Sequence, residues 1–140
     1  MKKIVVFSVL LLIGLTNNSN AQGVKFTKGT WKEVLAQAKA SKKMVFVDIY
    51  TEWCGPCKWM VKNVFPDPKV GTTFNASFIN YQIDAENGEG VELAQKYNVE
   101  GFPTLLFVDG NGKLVHKVMG AYPAPDLLKE VGKFLKKKKA

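Results

Sequence analysis

The chain has 140 residues, enough for one domain, and its formal net charge of +8 at pH 7 comes from 20 lysines, with no arginine, set against 12 acidic residues. Part of the excess sits in the terminal run Lys136, Lys137, Lys138 and Lys139. Without arginine forks or aromatics interleaved along a basic face this excludes a nucleic-acid partner, and it leaves only a weak attraction to anionic membrane surface.

Residues 1–21 read as a secretory leader rather than as part of a fold. Lys2 and Lys3 form a positive head, Ile4 to Leu15 an apolar core, and Ser19-Asn20-Ala21 a small-x-small cleavage site. The apolar core is well short of the ~20 residues a membrane-spanning helix needs. No cysteine follows it, so a lipid-anchored leader is not expected. Cleavage would leave residues 22–140 as one domain beginning at Gln22; 18 lysines against 12 acids then give +6.

A short strand is expected over residues 24–26, followed by a helix over 31–40. Thr30 and Glu33 have the spacing of a capping box, and Trp31, Val34, Leu35 and Ala38 form one apolar face. The run 44–50 is apolar at both alternations except at Asp48, as expected of a central parallel strand covered on both sides. A helix opens at the two cysteines and runs through residues 58–65. Pro66 and Pro68 are read as its stop, with a short helix after them over 70–74.

Residues 78–84 alternate as a strand, 85–90 form a polar loop, and 91–97 form a helix that Asn98 ends in a left-handed conformation. The runs 104–108 and 113–119, joined by Asp109-Gly110-Asn111-Gly112, read as a hairpin. A last helix covers 125–137, with Leu127, Leu128, Val131, Phe134 and Leu135 on its buried face. The order β-α-β-α-β-α-β-β-α predicts one α/β domain.

Cys54 and Cys57 are the only cysteines, three positions apart. A loop that short constrains little of the unfolded chain, so redox exchange is a better purpose than stapling. Two thiolates supply half of a tetrahedral zinc shell, and the lone His116 has no neighbouring partner, so no metal is expected. Cys54 at a helix N-terminus would be favoured as a thiolate and would attack a substrate disulfide, and Cys57, one turn on, would resolve the mixed disulfide. An acid inside an apolar strand is costly unless useful, which points Asp48 to proton transfer with Cys57. Trp53 reads as a groove-forming aromatic. Phe102 either packs inward or offers the substrate an apolar floor, and His116 reads as a surface residue.

Taken together, Trp53-Cys54-Gly55-Pro56-Cys57-Lys58, Asp48 six residues before the first cysteine, Gly101-Phe102-Pro103-Thr104, and Gly120 after the last strand resemble the thioredoxin superfamily. The resemblance covers nearly all of residues 22–140. It implies a thioredoxin fold, in which a central mixed sheet of parallel strands plus a C-terminal antiparallel hairpin is flanked by helices. It also implies a cis Pro103 facing the cysteines and a substrate-binding rim made of Trp53, Gly55, Pro56, Gly101, Phe102, Pro103 and Gly120. Two departures stand out. The lysine that the family often pairs with the buried aspartate falls at Asn80, which should raise the proton affinity of Asp48, and the proline that often kinks the motif helix falls at Lys62.

The resulting expectation is an exported, monomeric thiol-disulfide oxidoreductase in the periplasm or another extracytoplasmic compartment. It would reduce disulfides in exported proteins through Cys54 and Cys57, need no cofactor, and draw electrons from a membrane thiol-disulfide donor. The alternatives are a disulfide oxidase or isomerase, and a non-catalytic chaperone that keeps the fold.

Overall fold

A computed structural model describes residues 22–139, so the expected leader lies outside the described residues. The elements follow local chemistry. Helix α1 (Trp31–Ser41) opens on the Thr30/Glu33 capping box and closes where Lys42 turns left-handed at φ 56°. Strand β1 (Met44–Tyr50) leads into α2 (Gly55–Asn63), which ends short of the expected residue 65. Pro68, expected as a stop, instead opens α3 (Pro68–Ser77). Asp67 caps the first amides of this helix, and a proline in the first turn forfeits no helical hydrogen bond. Then follow β2 (Phe78–Asp84), α4 (Glu89–Lys96), β3 (Thr104–Val108), β4 (Leu114–Met119) and α5 (Ala124–Lys139).

The sheet order is β2-β1-β3-β4, with β1 and β2 parallel and the other pairs antiparallel. Strand β3 runs against β1: the connection that carries α4 brings the chain back to the end of the sheet where β1 and β2 finish. The chain therefore enters β3 at Thr104, opposite Ile49 near the end of β1.

The expected strand at 24–26 is reduced to a single parallel bridge between Phe26 and Asn80. Its neighbouring amides go elsewhere: Val24 N–H donates to Phe65 O (2.7 Å) and Lys25 N–H to Asn75 Oδ1 (2.9 Å), so no ladder can extend.

Alternation along β1 divides the interior. Val45, Val47 and Ile49 face α1 and α4, whose Val34, Ala38 and Leu93 close one core together with Tyr97, the residue that ends α4. Met44 and Phe46 face α2, α3 and α5 in a second core rich in phenylalanine, with Met60, Phe74, Phe78 and Phe107 around Phe46. Asp48 continues this second row, and so does Gln82 after Phe78 and Asn80 on β2. His116 is less exposed than expected, because α5 covers that part of β4. Its ring lies 5.0 Å from that of Phe134, and its Nε2 is 3.0 Å from Glu130 Oε1. Among the described residues no helix is long and apolar enough to cross a membrane.

Candidate active site

The turn after β1 delivers both cysteines to the start of α2. Cys54 N–H donates to Thr51 O (3.2 Å), and Cys54 then serves as N-cap of α2, its Sγ accepting from Cys57 N–H at 3.1 Å. Pro56 sits in the first turn, where a missing N–H costs nothing. Cys54 and Cys57 form a disulfide with both residues buried, while Gly55 and Pro56 between them are exposed. A side chain on Gly55 would meet nothing within 4 Å, so the link is open to an approaching chain. On reduction, the amide that now faces the Cys54 sulfur, together with the positive end of α2, would favour a thiolate there.

Asp48, two residues before the end of β1, is 1% exposed. Its Oδ2 accepts from Gln82 Nε2 at 2.9 Å, and its Oδ1 is buried without a hydrogen-bond partner. Burial pushes the carboxyl up from 3.8 to about 6, against the opposing pull of the Gln82 hydrogen bond. The direction is the one expected from the missing lysine, but the neighbour that reaches Asp48 is not Asn80. Asn80 stands opposite Phe46 and donates to Lys25 O (3.3 Å) and Asn75 Oδ1 (3.0 Å), whereas Gln82 stands opposite Asp48. A cleft of about 280 Å³ opens beside the disulfide, lined among others by Thr51, Cys57, Lys58 and Gln82.

The rim on the other side is aromatic. Trp53 is 65% exposed, and its Nε1 donates to Glu86 Oε1 at 2.9 Å. Phe102 is half-buried against the α1 and α4 core and meets the Trp53 ring edge-on at 5.8 Å, so it packs inward in part and joins the aromatic rim with the rest. The Phe102–Pro103 peptide bond is cis. Thr104 Oγ1 donates to Gly101 O (2.7 Å), and Gly120 N–H donates to Pro103 O (2.8 Å), tying the loop to the end of β4. Gly120 has φ +100°, which L side chains rarely adopt, and a Cβ there would meet nothing. Met119, 59% exposed, lines this rim beside Gly101. Gln82, Glu86, Thr51 and Met119 border the candidate site, and sequence reasoning assigned none of them a role there. The strand phase shared with Asn80 was the one available signal for Gln82, and none pointed to the other three.

A cysteine pair capping a helix just after a central strand that carries a buried carboxyl defines a thiol-disulfide oxidoreductase on a thioredoxin fold. Residues 31–135 match the family model for the thioredoxin-like domain, and the chain belongs to that family. A solved structure described as "putative disulphide-isomerase from Bacteroides thetaiotaomicron" is 46% identical, with a TM-score of 0.72, covering 81% of this chain and 93% of that one. A thioredoxin from Thermus thermophilus is 31% identical, with a TM-score of 0.71, covering 81% and 88%. The thiol:disulfide interchange protein DsbD of Yersinia pestis is 41% identical over 80 residues, which are 56% of this chain and 13% of that protein. This chain thus spans a small part of the curated relatives it matches.

Proposed function

We propose that this protein is exported after loss of residues 1–21 and reduces disulfides of other exported proteins, re-reduced by a membrane thiol-disulfide donor. Its similarity to part of DsbD, named as a thiol:disulfide interchange protein, supports work in such an exchange chain. Cys54 thiolate attacks one sulfur of the substrate disulfide. That bond breaks, a mixed disulfide to Cys54 forms, and the second substrate sulfur leaves as a thiolate that takes up a proton. Cys57 then passes its thiol proton to the Asp48 carboxylate, and its thiolate attacks the Cys54 sulfur. The Cys54–Cys57 bond forms and the remaining substrate sulfur leaves, protonated in turn by Asp48 or water. The substrate gains two electrons and the pair loses two. Trp53, Gly55, Pro56 and the loop of Gly101, Phe102 and Pro103, with Gly120, receive the substrate backbone.

The observation that carries the reductive direction is how little stabilises the Cys54 sulfur. Among the described residues it receives one hydrogen bond, from Cys57 N–H, and the nearby buried group is an acid rather than a cation. A strong oxidant needs an unusually favourable thiolate. The potential is therefore expected nearer to the ~−270 mV of thioredoxin than to the ~−120 mV of a strong oxidant. Equilibration with glutathione measures it; a value above about −180 mV would turn the reading to an oxidase or isomerase. The likeness to the Bacteroides protein gives the isomerase reading its support. Insulin reduction separates all these from a chaperone, which would leave insulin intact.

A further inference from the structure

The acid-base reading of Asp48, on which this inference rests, needs a group that holds the carboxyl in place at the cleft. The β1–β2 register sets Asp48 opposite Gln82, with both in the row facing α2. Gln82 Nε2 donates to Asp48 Oδ2 at 2.9 Å, and the same side chain lines the cleft that reaches Cys57. Asp48 Oδ1 is buried and unpartnered, and so is Thr51 Oγ1, whose residue lines that cleft too. Gln82 is therefore the residue that touches both the hidden carboxyl and the space beside the resolving cysteine.

We propose that Gln82 is the positioning residue of proton exchange at Cys57: by holding Oδ2 it leaves Oδ1 as the oxygen that takes and returns the proton. Amide chemistry suits the task. Nε2 donates to Oδ2 both in the carboxylate and in the acid that carries its proton on Oδ1, where Oδ2 is the carbonyl oxygen, so it holds Asp48 in both protonation states and the charged one more strongly. A lysine would bind only the ionised form and keep the acid low. The titratable groups lining the cleft beside Gln82 are Tyr50 on β1, Glu52 in the turn, and Cys57 and Lys58 on α2. Strand β3 contributes none there, since it sets Leu105 opposite Asp48.

The test titrates the Asp48 carboxyl by carbon NMR in the oxidised protein, for the parent, Gln82→Met and Gln82→Lys. Gln82→Met removes the hydrogen bond to the charged form and leaves the burial, so the midpoint should rise by about one unit, a tenfold gain in proton affinity. Gln82→Lys should lower it by a similar amount. The pH at which mixed-disulfide resolution reaches half its limiting rate should move with the midpoint in each variant. Midpoints within about 0.2 of a unit of the parent would overturn the proposal, and so would an inflection that ignores the midpoint. If the lysine variant fails to fold by near-ultraviolet circular dichroism, Gln82→Glu replaces it and should move the midpoint upward. The oxidised protein titrates without turnover. A parent that reduces no insulin, yet whose Asp48 responds to Gln82, would sink the reductase reading while upholding the Gln82–Asp48 pairing.

Discussion

Replacing Asp48 by asparagine should make this protein more stable and less active at neutral pH. The carboxyl titrates near 3.8 in an unfolded chain and at about 6 in the fold, where burial disfavours its charge. Between these values the folded chain holds the proton and the unfolded chain has released it. Stability therefore falls as pH rises through that window and stays lower above it. The gap is about two units at ~1.4 kcal/mol each, so the ionised group costs up to about 3 kcal/mol at pH 7.5 and nothing below pH 4. Asparagine keeps the shape, still accepts from Gln82, and carries no charge. Guanidinium unfolding of the oxidised parent and variant should give equal stabilities at pH 4 and a variant ahead by up to about 3 kcal/mol at pH 7.5. The same substitution removes the base proposed for Cys57 and should slow resolution of the mixed disulfide ~10²-fold. A stability difference that is the same at both pH values would refute the buried, titrating carboxyl. Unchanged resolution across the pH range would remove Asp48 from the chemistry.

Cys54→Ser should abolish disulfide reduction, whereas Cys57→Ser should still attack and then stall as a mixed disulfide visible on non-reducing gels; turnover by both variants would discard the dithiol mechanism. The exported protein should begin at Gln22 by intact mass, and recovery of the full 140 residues from a membrane fraction would mean that the leader is kept as an anchor.

Much of this protein can be derived from residue order alone. The apolar phase of β1, the capping box of α1, the turn residues before β4 and the placement of Cys54 and Cys57 at a strand-to-helix junction are local signals. Each acts over a turn or a strand, and each reappears in the fold. Alternation along β1 even set Asp48 on the face that α2 covers. Only tertiary structure decided which neighbour each group meets. Periodicity encodes a face, but register depends on how distant segments pack. The partner of Asp48 thus became Gln82 rather than Asn80, since β1 and β2 align residue 48 with 82. The direction of β3 was decided by its pairing with β1, and the loss of the strand at 24–26 by Asn75 and Phe65, fifty and some forty residues away, taking its amides. The hydrogen bond from Trp53 to Glu86 and the contact of Phe102 with Trp53 arise in the same way, from loops brought together at the ends of β1, β2 and β3. Those long-range pairings turn a two-cysteine motif into a site with a held acid and an aromatic rim, because burial and hydrogen bonding depend on neighbours in space and not in sequence.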